Sequence, residues 1–275
     1  MRPPCGVIGL LTDFGVKDVY VAAMKAVILS INPDAKIVDI THEVPKFSIR
    51  SGAFMLMGVY RYFPEGSVFV VVVDPGVGGG RRALLVVTHN YFFIGPDNGV
   101  LLPAAEEDGV EAVYELSNPV YMVHPVSASF HGRDIFSPAA AWLTRGVEPS
   151  SFGPRLRPEA LVKPPRIRLL ERAGDGVRVE VIHVDGFGNL VLSARWEEVS
   201  TALGGLRDGD RVRVRALCSG SEAVAVVKPV FSMAGRGELV LYRDSFGFAE
   251  LAVNLGSAAA MLKAGEGCGI LLSRA

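Results

Sequence analysis

Along the first half of the chain, unbroken apolar runs alternate with segments of near-3.6 spacing. Gly6 to Leu11 is an apolar run ending in the polar turn Thr12-Asp13-Phe14-Gly15. From Val19 to Ile31, the positions Val19, Ala22, Ala23, Ala26, Val27 and Ser30 recur at helical spacing, and Asn32-Pro33 stops the pattern. Lys36 to Ile40 reads as a strand, Ser48 to Tyr62 as a helix and Val68 to Val73 as a strand. Ala83 to Val87 and Tyr91 to Ile94 add two strands, and Ser137 to Arg145 reads as a helix. Near-continuous apolar strands separated by helices predict a mainly parallel sheet covered by helices on both faces.

The pattern changes after a proline-rich stretch holding Pro149, Pro154, Pro158, Pro164 and Pro165. Beyond it come short alternating runs, Val177 to Val184, Arg211 to Leu217 and Leu239 to Tyr242, set between Gly and Asp turns. These predict a small antiparallel β domain, a barrel or sandwich. The expected organisation is an N-terminal α/β domain over 1–155, a linker over 156–168 and a C-terminal β domain over 169–275.

Composition narrows the class. Lys plus Arg number 28 against 29 Asp plus Glu, a formal net charge of -1, which excludes a generally basic nucleic-acid binder. The most apolar run, Val68 to Val73, stops at Asp74, far short of the roughly 20 apolar residues a spanning helix needs. No membrane segment or signal peptide is expected. Cys5, Cys218 and Cys268 lie far apart with no CxxC pair, so the expectation is reduced thiols, no zinc site and a cytoplasmic location. Gln is absent, Asn numbers six, and Arg outnumbers Lys 21 to 7. Scarce amides fit a heat-adapted source, while GC-rich codon usage would also raise Arg.

In open α/β sheets, ligands bind beyond the carboxyl ends of the strands. Asp13, after the first apolar run, reads either as a helix cap or as an acceptor for a vicinal diol. The segment from Asp74 to Arg82 follows the most apolar strand and contains four glycines. It reads as a tight connecting loop or as a loop that a ligand approaches closely, with Asp74 and Arg81 placed to pair. It lacks the Gly-Lys-Ser/Thr ending of a phosphate-binding loop. Ser129 to Phe136 sets His131, Arg133 and Asp134 between aromatics; Arg133 and Asp134 read as paired with each other or as capping the helix that follows, and His131 is the histidine singled out for chemistry. His42, His89, His124 and His183 read as structural. In the second half, Asp185 to Asn189 and Tyr242 to Glu250 read as hairpin turns, or as aromatic and polar surfaces suited to a flat heterocycle.

Taken together, TDFG (12–15), INPDAKIVDITHEVP (31–45), VDPGVGGGRRA (73–83), PDNG (96–99), FHGRDIFSPAAA (130–141), DGFGN (185–189) and DSFGFAELAVN (244–254) resemble the S-adenosylmethionine (SAM) hydroxide adenosyltransferases, or SAM hydrolases. That family is related to the SAM-dependent fluorinase and chlorinase. The resemblance implies an N-terminal α/β domain, a C-terminal β-barrel and a homotrimer with sites at subunit interfaces. It implies a catalytic triad of Asp74, Arg81 and His131, and a ribose-binding Asp13. Adenosine-side contacts carry over to Asn189, Ser245, Glu250 and the backbone of Val253, and Asp185 matches a residue near the methionine amino group. Gly79 stands where many relatives carry Thr, a departure in the loop but outside the triad.

The implied reaction is SAM plus water giving adenosine and L-methionine, with SAM as substrate, no cofactor and no metal. His131 and Arg81 are expected to hold the attacking oxygen and favour its deprotonation, with Asp74 fixing Arg81. The alternatives are a SAM-dependent halogenase, a non-catalytic adenosine or SAM sensor, and, more remotely, a metal-dependent hydrolase.

Overall fold

The computed structural model describes residues 2–275, which divide into two compact units at Pro165/Arg166. The first unit is built on strands β1 (Val7–Thr12), β2 (Lys36–Thr41), β3 (Val68–Val72), β4 (Ala83–Thr88), β5 (Phe92–Pro96), β6 (Val110–Glu115) and β7 (Arg155–Leu156). Helices α1 (Tyr20–Ile31), α2 (Ile49–Val59), α3 (Leu102–Asp108) and α4 (Ser137–Thr144) flank them. The sheet order is β2-β1-β3-β5-β4-β6-β7. The pairs β1–β2, β1–β3 and β3–β5 are parallel, whereas β4 runs antiparallel to β5 and β6, and β7 antiparallel to β6. The α/β fold therefore has a parallel part carrying an antiparallel extension, a mixed sheet rather than a mainly parallel one.

Burial explains why β3 shows no polar alternation: all five of its residues are buried. Ile8, Leu10, Val68, Val70 and Val72 pack with Met24 and Ile28 of α1 and Ala139, Ala140 and Leu143 of α4. On the other face Gly52 of α2 lies so close that a Cβ there would stand 3.0 Å from Val73. The Ser48 hydroxyl accepts from Ser51 N at 3.3 Å and caps α2.

The proline-rich stretch is not a bare tether. Pro149–Phe152 and Pro158–Ala160 are single 3-10 turns, and Leu156 pairs with Val113. Buried Asp97 accepts from Val162 N at 2.9 Å and from Arg82 Nε at 2.8 Å. Much of the expected linker 156–168 is thus fastened to the first unit by a carboxylate that needs donors.

The second unit contains β8 (Glu171–Ala173), β9 (Gly176–Val184), β10 (Leu190–Arg195), α5 (Trp196–Ala202), β11 (Arg211–Ala216), β12 (Glu222–Val227), β13 (Leu239–Arg243), β14 (Phe248–Val253), α6 (Ala258–Leu262) and β15 (Gly269–Arg274). The sheet order β10-β14-β13-β12-β11-β15-β9-β8, with β9 also pairing β10, closes a barrel and leaves β8 outside it. Its pairs are antiparallel except β12–β13. Strand β11 shows the period of two: Arg211, Arg213 and Arg215 are exposed, while Val212, Val214 and Ala216 enter the barrel core with Val179, Leu251 and Ile270.

One expectation fails here. Cys218 and Cys268 form a disulfide, with Cα atoms 5.5 Å apart. The cause is antiparallel register: Ala216 faces Ile270 in the β11–β15 ladder, so the two cysteines meet just beyond its end. Sequence separation hid a pairing that the sheet imposes. Cys5 is the one free cysteine among the described residues. Among the described residues no helix is long and apolar enough to cross a membrane.

Titrating the denatured, unreduced protein with a thiol reagent is expected to find one reactive thiol per chain, that of Cys5, and three after reduction. Three before reduction would contradict the pairing. Reduction should also lower the melting temperature, since closing a loop of this size contributes about 2–4 kcal/mol.

Candidate active site

The neighbouring parallel strands β1 and β3 end level with each other, Thr12 facing Val72. Asp13 therefore emerges beside the start of the loop that carries Asp74, and Asp13 N donates to Val72 O at 3.4 Å. Helix α1 begins only at Tyr20, so Asp13 does not cap it. Asp13 is buried; its Oδ2 accepts from Phe47 N at 2.9 Å, and Lys46 Nζ donates to its backbone oxygen. No described residue donates to Oδ1. Phe47 holds a φ of +65°, a left-handed conformation rare for a bulky side chain, while making this bond.

The loop after β3 folds back on itself. Gly78 has a φ of +75°, and a Cβ there would stand 2.1 Å from Ala128 O, so only glycine fits. This turn returns Arg81 to Asp74. Arg81 Nε lies 3.1 Å from Asp74 Oδ1 and 3.0 Å from Oδ2, and Nη2 also donates to Oδ2. The two side chains are only 11% and 4% exposed. Arg81 Nη2 then reaches His131 Nδ1 at 2.8 Å, and the guanidinium stands 5.3 Å from the Phe136 ring centroid.

The polarity of this chain follows from donor chemistry. A guanidinium has donors only, so Nδ1 of His131 presents its lone pair and the neutral ring carries its proton on Nε2. Burial pushes the His131 pKa down from 6.5, and the Arg81 charge pushes it further, against smaller opposing effects of Asp74 and Asp134. Neutral His131 is thus a hydrogen-bond donor through Nε2.

His131 stands at the head of a π-helical turn, Gly132–Phe136, that runs into α4. Asp134, fully buried, shapes the approach: it accepts from Ser127 N at 2.8 Å and takes both Arg133 Nε and Nη2. Of the two readings of Arg133 and Asp134, mutual pairing is the one observed. Phe14, Tyr20 and Phe130 form a ring cluster with centroids 5.2–6.0 Å apart. That cluster ties the Asp13 turn to the His131 turn.

In the barrel unit, Asp185 Oδ1 accepts from Phe187 N at 2.9 Å and Asn189 N at 2.8 Å, and Oδ2 accepts from Asn189 Nδ2 at 2.9 Å. Asp185 and Asn189 are therefore partners in one hairpin turn. Glu250, buried on β14, bonds the hydroxyl of its cross-strand neighbour Tyr242. Burial pushes its pKa up to about 7, with Asp244 and Asp185 adding to the rise and the Tyr242 bond opposing it. Ser245 is exposed in the turn before β14, and Val253 ends that strand. Asp244, which the sequence reading passed over, accepts from Phe246 N and Phe248 N through Oδ1 and leaves Oδ2 buried without a partner. A hollow on the outer barrel wall, lined by Arg213, Arg215, Glu222 and Ser273 among others, contains none of the candidate residues. Among the described residues no group of three or more His, Cys, Asp or Glu side chains is arranged to hold a metal ion.

An α/β unit with a carboxylate, a guanidinium and an imidazole linked at its strand ends, followed by a β-barrel unit, defines a two-domain class. Residues 8–153 match the profile of the SAM hydroxide adenosyltransferase N-terminal domain, and residues 179–270 that of the corresponding C-terminal domain. The chain belongs to the SAM hydroxide adenosyltransferase family. It is 40% identical to an (R)-S-adenosyl-L-methionine hydrolase of Salinispora arenicola, over 93% of each chain. A fluorinase of Nocardia brasiliensis is more distant, 29% identical over 92% of each chain. Among solved structures, an uncharacterized conserved protein from Thermotoga maritima superposes with a TM-score of 0.89 at 40% identity, covering 97% of this chain and all of that one.

Following the His131 imidazole by NMR over a pH series is expected to give a midpoint below 6.5. Arg81→Met should raise it, because a lowering charge is removed while Asp74 stays. A wild-type midpoint above 6.5, or one that Arg81→Met leaves unmoved, would contradict the geometry.

Proposed function

We propose that this protein hydrolyses SAM to adenosine and L-methionine. The observation that carries the reading is the linked chain Asp74–Arg81–His131 at the strand ends, with Asp13 on the adjacent strand. The name of the 40%-identical relative from Salinispora arenicola supports it, and since that name specifies the (R) epimer, the same epimer is proposed here.

The oxygen of a water molecule bonds to ribose C5′ as the C5′–S bond breaks. The bond's electron pair stays on sulfur, methionine leaves as a neutral thioether, and the proton of the water passes to solvent. A sulfonium is already a good leaving group, so the protein's task is to position and polarise the water. His131 Nε2–H and the remaining Arg81 donors hold that oxygen and favour its hydroxide form, while Asp74 keeps the guanidinium in place. Holding the oxygen at near-attack distance removes several kcal/mol of barrier, on the order of 7–11 for a fully oriented pair. Asp13 Oδ1, and the second lone pair of Oδ2, accept the ribose hydroxyls. Asn189, Ser245, Glu250 and the Val253 backbone take the adenosine side, and Asp185 the methionine ammonium, as the resemblance implies.

The same proposal includes a homotrimer with sites at subunit interfaces, supported by candidate residues falling on both units of the chain. It needs neither cofactor nor metal, because no step calls for a Lewis acid on the leaving sulfur. A cytoplasmic location rests on the substrate class alone, since the cysteine argument for it has fallen. A disulfide inside a cell fits a heat-adapted source, where intracellular disulfides are common.

Purified protein given SAM should release adenosine and methionine in equal amounts, with or without EDTA, and His131→Ala should cut the rate on the order of 10² or more. Wild-type turnover in His131→Ala would overturn the triad. 5′-Chloro-5′-deoxyadenosine appearing on addition of chloride would make the protein a halogenase, and SAM binding without turnover would make it a sensor.

A further inference from the structure

The segment 31–45 supplies no group to the proposed reaction, yet it holds most of a second donor–acceptor chain. Thr12 Oγ1 lies 2.9 Å from His42 Nδ1, and His42 Nε2 lies 3.0 Å from Asp39 Oδ1. Lys25 Nζ donates to Asp39 Oδ2 at 2.6 Å. Thr12 is fully buried and His42 is 5% exposed, whereas Asp39 sits at the surface with its side chain 44% exposed.

The carboxylate accepts only, so His42 Nε2 carries a hydrogen. With the ring neutral, Nδ1 is a lone pair and the Thr12 hydroxyl donates to it. The same hydroxyl oxygen accepts from Phe14 N at 3.2 Å. Two backbone bonds run alongside: Gly15 N donates to His42 O at 2.7 Å, and Val44 N to Thr12 O at 3.3 Å. Asp13 lies between Thr12 and Gly15, so the chain on both sides of it is fastened to the segment 39–44. Asp39 is in turn kept ionised: although partial burial pushes its pKa up, the hydrogen bonds from Lys25 and His42 bring it below the usual carboxylate value.

A hydroxyl, an imidazole and a carboxylate in this order also describe an activated nucleophile. The burial of Thr12 rules that use out here, because nothing can reach an oxygen enclosed on all sides and already bonded to Phe14 N.

We infer that Thr12, His42 and Asp39 are positioning residues that fix the Asp13 carboxylate for the sugar hydroxyls of the substrate. The inference rests on the reading of Asp13 as the ribose acceptor. It makes the TDFG and THEVP motifs one device: the first presents the carboxylate, and the second sets its direction.

The test compares KM and kcat for SAM in Asp13→Ala, Thr12→Val, Thr12→Ser and Asp39→Ala, with melting temperatures alongside. Thr12→Val keeps the shape of the side chain and removes the hydroxyl; it should raise KM about tenfold, the equivalent of one lost buried hydrogen bond, with kcat changed far less. Thr12→Ser should restore KM. Asp39→Ala, at a surface position that tolerates truncation, should raise KM in the same direction and serves if Thr12→Val does not fold. Normal KM in both Thr12→Val and Asp39→Ala, while Asp13→Ala raises it, would overturn the inference and leave the ribose reading standing. Normal KM in Asp13→Ala would overturn the ribose reading and the inference with it. A lowered melting temperature at unchanged KM would make the chain structural only, and a KM in Thr12→Ser as high as in Thr12→Val would overturn the role of the hydroxyl, because serine keeps it.

Discussion

The contact between Arg81 and Asp74 is where the requirements of the site meet. A guanidinium that is 11% exposed needs an anion and several acceptors, and the carboxylate beside it, 4% exposed, needs donors. Desolvation offsets much of the Coulombic gain of such a pair, so it adds little to stability, although removing one partner alone costs about 3–5 kcal/mol. Its value lies in direction. With Nε and Nη2 turned to Asp74, Nη2 is also the atom that meets His131 Nδ1, and the tautomer of the imidazole follows from that.

Around this pair the fold supplies rigid placement from distant parts of the chain. The parallel register of β1 and β3 sets Asp13 next to the loop of Asp74. The left-handed Gly78 lets that loop pass against Ala128, close to the turn that carries His131. The Phe14–Tyr20–Phe130 cluster and the buried carboxylate of Asp134 hold the remaining turn. The candidate side chains sit on loops, while the strands and rings between them fix their separation.

Much of this architecture was legible in the sequence, for physical reasons that also mark where legibility ended. Strand β3 is apolar throughout because it is covered on both faces, and α1 and α2 carry helical spacing with a clear stop or cap. Strand β14 was hidden because all six of its residues are buried, and its run from Phe248 to Val253 contains a glutamate. Helix α3 escaped notice with only seven residues, among them a proline and three acids. The candidate residue types at the strand ends could be picked out, and so could the Asp74–Arg81 pair across its short loop, but not the bonds that join distant segments. The Cys218–Cys268 pairing, the Thr12–His42 contact and the partnership of Asp185 with Asn189 come from register and turn geometry, which composition does not encode. Asp13 illustrates the difference: its neighbours in sequence allow a helix cap, and only the placement of α1 and Phe47 excludes it.

In the proposed reaction, the solvent oxygen that His131 and Arg81 would hold beside a sugar carbon ends as the 5′-hydroxyl of adenosine. A crystal structure of the protein with adenosine therefore tests the proposal most directly. The account expects the 5′-oxygen within hydrogen-bond distance of His131 Nε2, with the ribose hydroxyls on Asp13. A nucleoside bound with its 5′ end turned away from Arg81 and His131 would contradict it.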